Sequence, residues 1–182
     1  DTVLDNNGET QLQVRSYQSR IFDTHDKVIV MRAAIATLQD YGFIISKTDY
    51  EAWVKKSLSS EMYSEVVEQH GAFPGKYMST ANGEIGVARI QFGNVVIMPQ
   101  PLASSGDDAF AIVHGTNTAP SHLFIAPYLW MQYGFEADVL IHFGTHGGLE
   151  YTPRKQVALS SSDWPDRLVG CMPHLYLYTI GN

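Results

Sequence analysis

The sequence predicts an α/β fold with a mostly parallel sheet flanked by helices and a β-hairpin element in the middle. Helix-like and strand-like segments alternate along the chain, and this alternation is typical of the class. The near-continuous apolar run 137–143 indicates a parallel strand that is buried on both faces. Asn82-Gly83 and Gly93-Asn94 are turn signals beside strand-like segments, and they predict the hairpin element.

Helix boundaries follow from capping residues. Asp26 and Gly42 bound an apolar-rich segment and predict a helix over 27–41. Thr48 begins a capping-box sequence that predicts a helix through Leu58. Three more helices are predicted, one over about 60–69 and ended by Gly71, one from Ser121 to about Tyr133 and ended by Gly134, and a short one that begins at Trp164.

Strand-like segments are short and rich in β-branched or aromatic residues. They are predicted at 43–45, 87–91, 95–98, 137–143 and 175–180. The connection over 99–119 is long for a compact domain, and long ordered loops are often functional. A second glycine-rich loop, over 144–153, follows the apolar strand.

Composition excludes several classes of protein. Of the 182 residues, 45% are hydrophobic and 17% are charged, which indicates a folded chain. The net charge is −7 and the 12 basic residues are scattered, so we expect no nucleic-acid partner. No segment reaches the roughly 20 apolar residues that span a bilayer. The single cysteine favours a reducing compartment, and we expect a cytoplasmic protein. Because the chain does not begin with Met, we interpret it as a segment of a longer protein.

The loop after the apolar strand carries the residues best suited to chemistry. His142, His146 and Glu150 recur there at four-residue intervals. Imidazole nitrogen and carboxylate oxygen suit divalent ions such as zinc, cobalt or iron. Ligands of open α/β sheets bind outside the carboxyl ends of strands, and glycines allow a flat, bulky ligand to come close. The pattern therefore favours a metal-handling site.

Two other interpretations of this loop remain open from spacing alone. The glycines favour a loop over a helix that would align the three side chains, so the histidines could instead end a strand and cap a turn. A strand, glycine-rich loop and helix can also bind phosphate. This loop, however, lacks both the Walker Gly-Lys-Ser/Thr ending and the dinucleotide GxGxxG pattern.

The residues around this loop resemble a known family. The run from Ala137 to Glu150, which reads ADVLIHFGTHGGLE, is similar to the signature of the cobaltochelatase large subunit and the magnesium chelatase H subunit. Further segments that resemble the family are Pro153, 155–157, 159–161, 164–166 and 173–176 after the loop, and 92–95, Gln100-Pro101 and 120–122 before it.

The resemblance implies that residues 1–182 form a single α/β segment excised from a larger chelatase-type subunit, and that this segment binds a tetrapyrrole. It implies a metal chelatase, a ligase that inserts a divalent metal such as cobalt or magnesium into the ring, as in cobalamin biosynthesis. The implied partners are an AAA-type ATPase subunit, which uses ATP, and a chelatase subunit with a metal-binding domain. The fragment alone is expected to be inactive.

The resemblance also assigns roles to residues of the signature. It implies that Glu150 accepts protons from the ring, and that His142 and His146 are transient metal donors beside it. These three residues are therefore the predicted catalytic and metal-binding set.

Four other residues are candidates for binding the tetrapyrrole. Tyr151 could stack on the macrocycle, and Arg154 and Lys155 could meet its acidic side groups or remain solvated charges. His122 could reach the site from the start of its helix, or serve as a capping or core histidine. Helical spacing favours core packing for Tyr128, and His174, after Pro173, is given a structural role.

The sequence departs from the family pattern within the signature. Gly148 replaces a usual Thr or Ser, Tyr151 stands where Trp or Phe is common, and Thr152-Pro153-Arg154 replaces a more apolar segment. These departures leave the metal and the ring open. They suggest as an alternative a divergent homologue that acts on haem or another iron porphyrin, by metal removal or as a carrier, or a non-catalytic tetrapyrrole-binding module.

Overall fold

The computed structural model describes residues 42–75, 83–100, 118–144, 149, 152–155 and 157–178, all within one compact unit, Leu38–Asn182. The predicted helix over 27–41 and most of the connection over 99–119 lie outside these residues. The described helices are α1 (Lys47–Ser57), α2 (Ser60–His70), α3 (His122–Tyr133) and α4 (Trp164–Val169). The described strands are β1 (Phe43–Ile45), β2 (Ile85–Val87), β3 (Ile90–Phe92), β4 (Val95–Ile97), β5 (Leu140–Gly144) and β6 (His174–Tyr178).

Side-chain caps begin the first three of these helices. The hydroxyls of Ser46, Ser59 and Ser121 each accept a hydrogen bond from a backbone N–H in the first turn. Helix α1 therefore begins before the predicted Thr48, because Ser46 and Asp49 already form a capping pair. The predicted ends of α2 at Gly71 and of α3 at Gly134 are confirmed.

The described strands form three separate pairs. β1 pairs antiparallel with β2, β3 pairs antiparallel with β4, and β5 pairs parallel with β6. The hairpin predicted at Gly93-Asn94 is confirmed, and Gly93 has the positive φ, 58°, that its turn requires. The parallel relation predicted for the apolar strand is also confirmed for β5 and β6.

The expectation of a mostly parallel sheet is wrong for the described residues, which combine helices with small sheets. Only one of their three strand pairs is parallel. β2 pairs antiparallel with the distant β1, and two residues separate it from β3. The predicted strand 87–91 is split at this point. Arg89 occupies the break, and its guanidinium lies over the rings of Phe43 and Trp130.

The core is built around α3, an apolar helix that is buried along most of its length. Its residues pack with α1, α4 and β2. The largest fully buried side chains of the core include Trp164, Tyr50, Phe124, Met62 and Leu168. This core fixes α3 beside the start of β5, and so positions the side chains described below.

Strand β5 was predicted to be buried on both faces, and in the described residues it is covered on one. Leu140 is buried and His142 contacts Tyr128 of α3, whereas Ile141 is 50% exposed and Phe143 is 77% exposed. Side chains of a strand alternate between two faces, so a helix on one side covers every second residue. No helix in the described part of the chain is long and apolar enough to cross a membrane.

Candidate functional site

His142 lies at the centre of a hydrogen-bonded group of three side chains. Its Nε2 is 2.9 Å from the hydroxyl of Tyr128 on α3, and its Nδ1 is 2.8 Å from Nε2 of His174 on β6. In the parallel register, Leu140 is opposite His174 and His142 is opposite Tyr176, so both histidines project from the same face. Pairing of β5 with β6 therefore brings together two histidines that are 32 residues apart.

Burial sets the protonation of this group. It lowers the pKa of His142 to about 4, with a further contribution from the neighbouring His174 imidazole. Burial also raises the pKa of Tyr128, whose side chain is 2% exposed. At neutral pH His142 is therefore a neutral imidazole, and Tyr128 keeps its hydroxyl proton.

A cleft of about 760 Å³ lies along β5 and has His142 in its wall. One side is formed by residues 94–98 of the β3–β4 hairpin, and the other by residues 135–144. Apolar side chains such as Val95, Ile97, Ile141 and Phe143 dominate this lining, and all four are largely exposed to solvent. The size and apolar lining are those of a small-molecule site.

The signature loop leaves the cleft at the carboxyl end of β5. His146, Glu150 and Tyr151 lie outside the described residues. Leu149, which is described, is buried in the core, and its carbonyl accepts hydrogen bonds from the backbone and the hydroxyl of Thr152.

The predicted metal triad stays a prediction. Among the described residues, no group of three or more His, Cys, Asp and Glu side chains is placed to hold a metal ion. Two of the three predicted donors are outside that set. The third, His142, has both ring nitrogens within hydrogen-bond distance of protein groups.

The structure places His122 in the core. Its side chain is 1% exposed, with Nδ1 at 3.0 Å from the hydroxyl of Tyr50 and Nε2 at 2.9 Å from the carbonyl oxygen of Gly71. Both ring nitrogens thus have protein partners. Desolvation by burial lowers the pKa of His122, so the ring is neutral at pH 7. These contacts favour the core-histidine alternative over a role in ligand binding.

Arg154 and Lys155 differ in how the structure uses them. The Arg154 guanidinium forms an ion pair with Glu65 and lies 5.9 Å from the ring centre of Trp164. Lys155 is exposed, and its backbone N–H donates to the buried Asp163 carboxylate. The charge of Lys155 also helps to lower the pKa of the Asp163 carboxylate, so both predicted cations interact with carboxylates in the described residues.

Sequence reasoning gave Tyr128 and His174 structural roles and did not place them beside His142. The available signal was the alternation of the two strands. His142 and His174 could have been placed on one face if β5 and β6 had been paired in parallel from the start. Their register, however, is a property of the folded sheet and not of either segment.

The sequence matches the family model described as CobN/Magnesium Chelatase over residues 10–182. The chain belongs to the CobN/magnesium chelatase family. The resemblance drawn from the signature loop is thereby confirmed.

Individual relatives of this CobN/magnesium chelatase chain are much longer. The H subunit of magnesium chelatase from Cereibacter sphaeroides is 40% identical over 119 residues, 65% of this chain and 10% of that protein. The CobN subunit of the aerobic cobaltochelatase from Pseudomonas aeruginosa is 35% identical over 101 residues, 56% of this chain and 8% of that protein. The chain spans about a tenth of the length of these relatives.

A solved structure shares the fold. It is the catalytic subunit of cobaltochelatase from Mycobacterium tuberculosis, with a TM-score of 0.67 and 32% sequence identity. The similarity covers 80% of this chain and 13% of that one.

Proposed function

We propose that this chain is the tetrapyrrole-binding segment of a metal chelatase large subunit, and that the cleft along β5 receives one face of the macrocycle. The observation that carries the proposal is the position of His142. It lies in the wall of an apolar cleft, on the strand that leads directly into the loop with His146 and Glu150.

The cleft suits a flat and largely apolar ring. Ile141 and Phe143 alternate with His142 along β5, Val95 and Ile97 lie on the hairpin, and these four side chains are 50–77% exposed. Covering such side chains with a macrocycle removes apolar surface from water, which contributes about 25 cal/mol per Å². Sites at the carboxyl ends of parallel strands also place the ligand next to the loops that follow them.

Insertion of a divalent ion replaces two pyrrole N–H protons, so the ring becomes a dianion ligand and two protons leave. In this proposal Glu150 accepts the two protons one after the other and releases each to solvent, and His146 is a transient donor to the arriving ion. The metal ion is a substrate of this reaction. Cobalt and magnesium are the candidates that the relatives' names supply, with iron as the alternative from the sequence departures.

The proposal includes partners and a location. An ATP-hydrolysing AAA-type subunit and a subunit with a metal-binding domain would drive insertion by the intact protein, and the segment alone would not turn over. A cytoplasmic location, from the cysteine content, is part of the same proposal.

Binding is tested by visible-absorption titration of the chain with protoporphyrin, haem and a corrinoid precursor. Ile141→Asp should weaken binding of the preferred ring about tenfold or more, because the ring would desolvate an unpaired carboxylate. Val157→Asp is the matched control: Val157 is 79% exposed and lies outside the cleft, so binding should be unchanged. Equal affinity of both variants would contradict the cleft assignment.

Catalysis is tested in the intact large subunit with its partner subunits. Glu150→Gln should abolish or strongly reduce metal insertion while the ring still binds, and Glu61→Gln, on the exposed start of α2, should leave insertion unchanged. Full activity of Glu150→Gln would defeat the role of Glu150. Preferred binding of haem with loss of its iron would instead favour metal removal, and ring binding without metal exchange would favour a carrier.

A further inference from the structure

Both ring nitrogens of His142 are used within the protein. Tyr128 reaches Nε2 from the buried helix α3, and His174 reaches Nδ1 from the neighbouring strand β6, at 2.9 Å and 2.8 Å. A neutral imidazole has one N–H donor and one acceptor nitrogen. One of its two contacts must therefore donate to the ring while the other accepts from it.

Two hydrogen-bond patterns satisfy this rule. In one, the Tyr128 hydroxyl donates to Nε2 of His142, whose Nδ1–H donates to His174. In the other, Nε2–H of His174 donates to Nδ1 of His142, whose Nε2–H donates to the Tyr128 oxygen. Only the first pattern gives the proton of the buried Tyr128 hydroxyl an acceptor among the described residues. His142 therefore carries its proton on Nδ1, and two partners on two different elements hold its ring in that tautomer and orientation.

We propose that Tyr128 and His174 are positioning residues that fix the tautomer and the ring plane of His142 beside the cleft, so that His142 is a fixed polar group of the wall and not a free metal donor. This inference rests on the proposed function. It deepens that function by moving the metal-donor role to His146 and Glu150, because an ion could reach a nitrogen of His142 only after a hydrogen bond is broken.

The two partners of His142 differ in burial: Tyr128 is buried and His174 is exposed. Tyr128 is 2% exposed and its ring packs against Phe124 within α3, so its hydroxyl is held in place by the core. His174 is at the exposed first position of β6, and its ring meets that of His142 edge to face. Loss of either partner should leave His142 free to rotate or change tautomer without removing a large buried group.

The test is ¹⁵N NMR of the full chain labelled at histidine, without macrocycle. Wild type should show His142 as one tautomer, with unequal ring-nitrogen shifts that persist when Zn²⁺ is added. Tyr128→Phe and His174→Ala should each move these shifts toward the average of two tautomers, and His174→Gln should restore the wild-type pattern because its amide can replace Nε2.

Two variants control for structural effects. Tyr133→Phe removes a hydroxyl from the same helix, where Tyr133 accepts from Ser57 and does not contact His142. His70→Gln changes a ring that is bonded to the carbonyl of Ala119. Both should leave the His142 shifts unchanged. Averaged shifts in wild type, unchanged shifts in Tyr128→Phe and His174→Ala, or direct binding of Zn²⁺ by His142 would overturn the proposal.

A kinetic measurement in the intact subunit connects positioning to the reaction. Tyr128→Phe and His174→Ala should raise KM for the ring several-fold with little change in kcat, because His142 acts on the bound ring as a polar group of the wall and not as a donor to the metal. Absence of ring binding by wild type would end the proposed function, whereas the NMR result would still decide the positioning of His142.

Discussion

Replacing His122 with alanine should cost the protein stability rather than ligand affinity. The ring is 1% exposed and joins the Tyr50 hydroxyl to the Gly71 carbonyl. Its removal leaves two polar groups without this partner, and the Tyr50 side chain is fully buried. An unsatisfied buried group costs about 1–3 kcal/mol.

The lost packing adds to this cost. The His122 ring lies against the aromatic rings of Tyr50, Tyr63 and Phe73, with centroids 5.5–6.2 Å away. Because these effects share one site they do not simply add, and we expect the free energy of unfolding to fall by about 3–5 kcal/mol in total. For a chain of this size, that corresponds to a decrease of roughly 10 °C in Tm.

Urea unfolding followed by circular dichroism measures the change in stability, and absorption titration measures affinity for the ring. His70→Ala is the control, because its half-buried ring makes one bond of 2.7 Å to the Ala119 carbonyl and should cost about 1 kcal/mol. A His122→Ala protein with wild-type stability and no ring binding would refute the core assignment and restore His122 as a ligand-binding residue.

Three further outcomes are expected. Stability should fall as the pH decreases from about 6.5 to about 4, because His142 takes up a proton in the unfolded chain but not in the folded one. His142→Gln should flatten this part of a plot of unfolding midpoint against pH. Gly170→Ala should lower Tm more than Gly71→Ala, although both glycines have positive φ. A Cβ at Gly170 would also lie 2.4 Å from the amide oxygen of Gln132, whose side chain could move away only by giving up its hydrogen bonds to the carbonyls of Arg167 and Leu168. An equal loss in the two variants would show that backbone strain alone decides. Asp163→Asn should lower the urea midpoint at neutral pH, because one amide oxygen cannot accept all the hydrogen bonds that the Asp163 carboxylate receives. These bonds hold the pKa of Asp163 below its usual value. The difference between the two proteins should therefore shrink in acid, as the carboxylate becomes protonated. An undiminished difference in acid would contradict this assignment.

Helix ends could be predicted because their signals are local. A serine before the first turn and a glycine after the last one satisfy backbone groups within a few residues of themselves. Gly71 and Gly134 were placed correctly for this reason. The cap of α1 was placed two residues too late, at Thr48, because Ser46 forms its own capping pair with Asp49.

Strand partners could not be predicted in the same way. β1 and β2 pair across about 40 residues, and three-residue strands carry too little pattern to specify a partner. The adjacent hairpin of β3 and β4 was predictable, because the turn at Gly93-Asn94 fixes its register. The error over the mostly parallel sheet therefore came from long-range pairing.

The candidate site was predicted in the same uneven way. Its signature residues could be found from their spacing and from the family resemblance, since both are properties of one continuous segment. The partners of His142 come from α3 and β6, and they meet it only through the packing of a helix on a strand pair. Residues that act through another side chain leave no local pattern, so the sequence predicted core packing for Tyr128 and a structural role for His174.

In the proposed site, His142 and the pair His146 and Glu150 would have different roles. His142 belongs to a strand and is held by two partners on regular elements, whereas His146 and Glu150 belong to a loop whose glycines permit close approach to a flat ligand. Rigid elements position a group more accurately than loops do. Metal delivery and proton transfer require donors that can approach the ring and withdraw. In the proposed reaction, a fixed His142 in the wall and reactive donors at His146 and Glu150 would meet these two requirements with separate residues.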